Sequence, residues 1–149
     1  MTGLGPLSSF LLPAASVLLL AQRASAQSFG PQQTITNSAD QANSVYATDL
    51  DGDGDADVLS ASYLDRKIAW YENLGGGSFG LQQVITTSAD AATSVYATDL
   101  DGDGDADVLS ASGADSKIAW YENLGGGSFG LQQVITTSAI AANDVYATD

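Results

Sequence analysis

DLDGDGDADVLSAS occupies residues 49–62 and recurs letter for letter at residues 99–112. Each copy sets five aspartates into nine positions, one at every second residue. Carboxylates roughly 5 Å apart repel one another by about 1–3 kcal/mol per pair for effective dielectrics between 80 and 20. A chain that writes such a cluster twice needs something to hold it together.

The spacing suggests what that is. Counting from Asp49, side-chain oxygens fall at positions 1, 3, 5 and 9, on Asp49, Asp51, Asp53 and Asp57, while Asp55 at position 7 offers its backbone carbonyl. Gly52 and Gly54 stand between them, where the chain must curl tightly. Calcium takes six to eight hard oxygen ligands, and this spacing wraps one flexible loop around such an ion; magnesium, with its stricter octahedron, fits less well. The second copy offers Asp99, Asp101, Asp103, Asp105 and Asp107, so two Ca2+ are expected, one per complete loop. The rival is an Asp-Gly hairpin turn that needs no ion, but it explains one Asp-Gly pair and not five alternating aspartates. An EF-hand would require Glu at position 12, where Ser60 and Ser110 stand, and helices on both sides. The flanks VYATDL and DVLSAS read as strands instead.

Working outward, the whole chain repeats with a period of 50: residues 28–77 and 78–127 align throughout, and a third copy starts at Ser128 and runs to Asp149. Periods of this size mark solenoids, propellers or arrays. In the second copy SVYATDL, DVLSAS, KIAWYEN and QQVITT are short runs rich in β-branched and aromatic residues, separated by turn compositions. Four short strands in about fifty residues is the content of one propeller blade. The expected fold is therefore all-β: four-stranded antiparallel β-propeller blades, about two full ones plus partial flanking strands, in an incomplete propeller. The copies differ mainly at strand ends and turns, most visibly where Tyr63-Leu64-Asp65-Arg66 becomes Gly113-Ala114-Asp115-Ser116. The acidic loop and WYEN do not change.

At this level the residues resemble the FG-GAP/VCBS repeats, a family that includes the blades of the integrin alpha-subunit propeller. The resemblance rests on DLDGDGDAD between strands, VLSAS, IAWYEN and GGGSFG, with Phe79-Gly80 and Phe129-Gly130 as the FG element, and it covers residues 28–149. Ser60-Ala61-Ser62 stands where the Gly-Ala-Pro element would be, which favours the broader VCBS-like group of secreted propellers. The resemblance implies that the acidic loop joins the first two strands of a blade and holds one calcium. It phases the blades from about Val45 to Thr87 and Val95 to Thr137, and makes QTITN at 33–37 the last strand of an earlier blade. With two blades, further blades are expected from a longer chain or from self-association.

Composition narrows the function. Residues 1–26 have an apolar run from Phe10 to Ala21 and an A-x-A site at Ala24-Ser25-Ala26, the layout of a secretory signal peptide. The mature repeats, 27–149, are expected to be secreted or at the cell surface, with no membrane span. The chain has no histidine or cysteine, which removes Ser-His-Asp and Cys-His catalysis and the usual zinc sites. Its net charge of −14, with only Arg23, Arg66, Lys67 and Lys117 to offset the acids, disfavours nucleic acid and anionic lipid. Asp65, Asp115, Glu72 and Glu122 lie outside the acidic loops, and the two glutamates read as exposed charges. No catalytic residue is expected. The reading is a calcium-binding module presenting loops to an extracellular protein or glycan. The alternatives are the non-catalytic propeller part of a polysaccharide-degrading enzyme and a structural spacer of a surface protein. Trp70-Tyr71 and Trp120-Tyr121, at strand spacing, read as core between blades rather than sugar platforms.

Overall fold

The computed structural model describes residues 30–148. The leader expected over 1–26 and the final aspartate of the third loop, Asp149, lie outside the described residues. Every strand among the described residues lies in the unit Gln32–Asp149.

Eight strands and no helix are found among the described residues. β1 (Ala42–Thr48), β2 (Asp57–Ser62), β3 (Lys67–Tyr71) and β4 (Gln83–Thr86) form one antiparallel sheet in that order. β5 (Ala92–Thr98), β6 (Asp107–Ser112), β7 (Lys117–Tyr121) and β8 (Gln133–Thr136) form the other, with the same registers fifty residues on. The two sheets are not closed into a ring.

The acidic stretch is the β1–β2 connection, and Thr48 and Asp57 face each other where it begins and ends. The β2–β3 hairpin turns at Arg66, whose φ of 59° repeats at Ser116 as 56°. After β3 the chain makes a glycine-rich turn, closed by Leu74 N–H to Ser78 O at 2.9 Å and Gly80 N–H to Glu72 O at 2.8 Å. That turn folds back over its own stem, so Glu72 and Glu122 are half-buried rather than the exposed charges expected.

Strand alternation gives each sheet two apolar faces. The register of the first puts Tyr46, Leu59, Ala61, Ile68 and Trp70 on one face and Val45, Val58, Ser60 and Tyr71 on the other. The hydrophobic core joins Leu59, Ile68 and Trp70 of the first sheet to Val95, Val108 and Tyr121 of the second. Unlike faces of two like sheets thus meet, and both members of the Trp70-Tyr71 pair are buried.

Two expected strands do not form. Residues 33–37 and 145–148 match β4 and β5 in sequence yet have no regular structure. A strand exists by its ladder, and no neighbouring strand lies beside either segment among the described residues. Both still lie against a sheet. Gln33 and Ile35 line the outer groove of the first sheet with Val45 and Tyr71. On the second, Ser94 Oγ accepts the Val145 N–H at 3.4 Å, much as Ser44 Oγ accepts the Val95 N–H at 3.3 Å.

Candidate metal centre

Each acidic loop is wound around its own carboxylates. Asp49 accepts from two backbone amides, Gly52 N–H to Oδ1 at 2.7 Å and Gly54 N–H to Oδ2 at 2.9 Å. Asp51 Oδ1 accepts Asp53 N–H at 3.2 Å, and Asp53 Oδ1 accepts Asp55 N–H at 2.8 Å. These bonds need the amides of positions 52 and 54 turned inward, and the chain achieves this at φ of 83° and 96°. A side chain costs about 1–2 kcal/mol in that region, which is why glycine stands at both.

Asp57 closes the loop from inside the sheet. It is fully buried; its Oδ2 accepts Leu50 N–H at 2.9 Å and its Oδ1 accepts Asn73 N–H at 2.8 Å. Asn73, at the end of KIAWYEN, also donates its Nδ2–H to Ala56 O at 3.0 Å and accepts Gly75 N–H at 3.0 Å. It therefore fastens the acidic loop to the glycine-rich turn. The second repeat reproduces this with Asp107, Leu100 and Asn123.

The outcome is a triad. One oxygen each of Asp49, Asp51 and Asp57 lies within 4.8 Å of the others, and Asp99, Asp101 and Asp107 form the same cluster. Asp53 and Asp55, Asp103 and Asp105 stand outside these groups. The Asp55 carboxylate is turned toward Gly75, and that of Asp105 toward Gly125. This orientation accords with a loop in which position 7 does not contribute its side chain.

The donor set fits a hard divalent ion. Oxygens that share one calcium at about 2.4 Å lie no more than about 4.8 Å apart, and the three oxygens of each cluster fall within that limit. All the donors are oxygen, and the backbone amides leave lone pairs of each carboxylate free, since an ionised carboxylate has about four acceptor positions. The electrostatics agree with this. Burial, then the neighbouring Asp57, Asp53 and Asp49, push the Asp51 carboxyl above its ordinary value despite the Asp53 amide. Burial likewise raises Asp107, against the hydrogen bonds from Asn123 and Leu100. Three converging carboxylates, with Asp51 raised in the first triad and Asp107 in the second, would gain from a cation in their midst.

Sequence reasoning found every aspartate of these loops but did not single out Asn73 and Asn123. Their signal was the unchanged WYEN, which runs from the end of β3 and of β7 into the turn that follows. Asp65 and Asp115, left unassigned by the sequence, pair with Lys67 and Lys117 at 2.8 Å on the β2–β3 and β6–β7 turns, remote in role from the triads.

An all-β repeat protein with a carboxylate triad in the first connection of each sheet is the class so defined. A family profile described as FG-GAP-like repeat matches residues 49–110 and again 99–149. The chain belongs to that FG-GAP-like repeat family. Comparison with curated proteins and with solved structures found no match.

Proposed function

We propose that the chain is an exported calcium-binding β-propeller module whose two acidic loops each hold one Ca2+ as a structural clamp. The carrying observation is the duplicated triad, Asp49, Asp51 and Asp57 with Asp99, Asp101 and Asp107, built by one hydrogen-bond scheme. Asp53 and Asp103 complete the side-chain set in this reading, and Asp55 and Asp105 supply backbone carbonyls. The ion would offset the repulsion within each loop and tie β1 to β2 and β5 to β6.

Blade-like stacking is supported by the way unlike faces meet. The uncovered face of the second sheet, with Leu109, Ile118 and Trp120, is the counterpart of the face that the first sheet buries. It forms an open groove of ≈ 510 Å³ in which Tyr146 already stands. No helix among the described residues is long and apolar enough to cross a membrane.

The module acts by binding rather than catalysis: the clustered carboxylates are committed to the loops, and Asp65 and Asp115 to lysines. The surface that differs between repeats is the β2–β3 turn. There Tyr63 and Leu64 are 39% and 59% exposed, and an extracellular protein or glycan would read this edge.

Calorimetric titration of the metal-free chain with CaCl2 tests the proposal. Two equivalents should bind, and calcium at a hundredfold excess over Kd should add about 2.7 kcal/mol per site, raising Tm by roughly 10–20 °C. Absence of both heat and stabilisation would overturn it.

A further inference from the structure

The two triads are joined by a buried hydrogen-bonded path. From the first, Asp57 Oδ2 accepts the Leu50 N–H at 2.9 Å. Leu50 lies between Asp49 and Asp51, and its carbonyl accepts the Asn123 Nδ2–H at 2.8 Å, across the interface between the sheets. The Asn123 backbone N–H then donates to Asp107 Oδ1 of the second triad, at 2.8 Å. Asp57 and Asp107 are 0% exposed, Asn123 1% and Leu50 2%, so solvent has no access along the path. Asn73 makes the same local bonds to Ala56 and Gly75 but, among the described residues, none across a sheet interface.

Resting on the calcium reading above, we infer that Leu50 and Asn123 couple the two metal sites, so that filling one raises the affinity of the other. Asn123 is a positioning residue here, since it touches no ion and acts through the Leu50 carbonyl and Asp107. An ion in the first loop fixes the backbone at 49–51, and with it the direction of the Leu50 carbonyl. That carbonyl orients the Asn123 carboxamide and so the backbone amide that holds Asp107. Part of the ordering that the second ion requires is then already done. Linkage makes the effect reciprocal. A single buried hydrogen bond of ordinary worth corresponds to about a fivefold change in affinity.

The test uses the full chain with CaCl2, following the Gly52 and Gly102 amides by NMR as reporters of the two sites. Asp101→Asn removes one carboxylate of the second triad and leaves Asp107 and its bond to Asn123 in place. Coupling predicts that D101N weakens the second site and lowers first-site affinity by about fivefold relative to the parent protein. In an Asn123→Ala background, D101N should leave first-site affinity unchanged, whereas in an Asn73→Ala background the fivefold loss should persist. N73A thereby controls for damage to the glycine-rich turn, which both alanine variants share.

A second readout does not depend on N123A folding. In D101N alone, calcium entering the first loop should shift the Asn123 side-chain amide resonances. Equal first-site affinities in parent and D101N, or Asn123 resonances that stay still while Gly52 moves, would overturn the coupling while leaving calcium binding intact. A chain that binds no calcium would instead sink the functional reading beneath it.

Discussion

Trp70 and Trp120 occupy the same place in the same pentapeptide, KIAWY, yet Trp70 is 3% exposed and Trp120 is only half-buried. The valines reverse the order: Val45 of β1 is 68% exposed and Val95 of β5 is 4% exposed. The two sheets differ little in sequence, register or hydrogen bonding. What differs is which face each has covered, the tryptophan face in the first and the valine face in the second. Each repeat thus provides a sheet with two faces able to be buried, and its neighbour decides which one is.

The largest expected effect breaks this comparison directly. Trp70→Ala removes a ring enclosed between the sheets and should cost about 3–5 kcal/mol in denaturant unfolding. Trp120→Ala, at the same sequence position, removes a ring with one side open and should cost about half as much or less. Equal losses would mean that the interface is not what distinguishes the repeats.

The glycine-rich turns offer a sharper version. Gly77 and Gly127 share positive φ, 82° and 68°, so alanine at either carries about 1–2 kcal/mol of backbone strain. At Gly127 a β-carbon would also overlap the Trp70 indole, whereas at Gly77 it would meet only the flexible end of Gln33. Gly127→Ala should therefore lose about 1–3 kcal/mol more than Gly77→Ala through overpacking. Shortening the ring with Trp70→Leu should recover much of that excess, and a double-mutant cycle would measure it.

How much of this could be read from residues alone depends on the same contrast. The alternation in DVLSAS and KIAWY revealed the strands, and the aspartate spacing revealed the loops, because both are local patterns of one chain segment. Residues 33–37 and 145–148 carry equally strand-like sequences, but a ladder needs a partner that propensity does not supply. Asn123 was not legible for a related reason. Its local bonds are those of Asn73, and only its reach to Leu50 across the interface sets it apart. The sequence could place the carboxylates of Asp49, Asp51 and Asp57 in one loop, yet the burial of Asp57 in the sheet came only with the packing.

The smallest effect is one in which the repeats should agree. Burial alone would raise the Asp65 and Asp115 carboxyls, but each is outweighed by its lysine, Lys67 or Lys117 at 2.8 Å, helped by the amides of Asp40 and Asp90, so both lie below the ordinary 3.8. A carboxylate lowered by folding contributes stability that is complete above its unfolded value and is lost as pH falls through the folded one. Each pair should contribute about 1 kcal/mol or less. Asp65→Asn and Asp115→Asn should therefore flatten the loss of stability below pH 3.8, and by equal amounts. Both pairs sit on hairpin turns and share one pattern of partners, a lysine and a backbone amide, Asp40 for Asp65 and Asp90 for Asp115. The acidic loops should respond in the opposite window. Asp51 and Asp107 are raised, so without metal their ionisation costs stability as pH climbs above 3.8, and calcium should abolish that cost. Urea titrations across pH, with and without CaCl2, separate the two windows. Unequal slopes for D65N and D115N would show that the sheet interface reaches further than the packing of Trp70 implies.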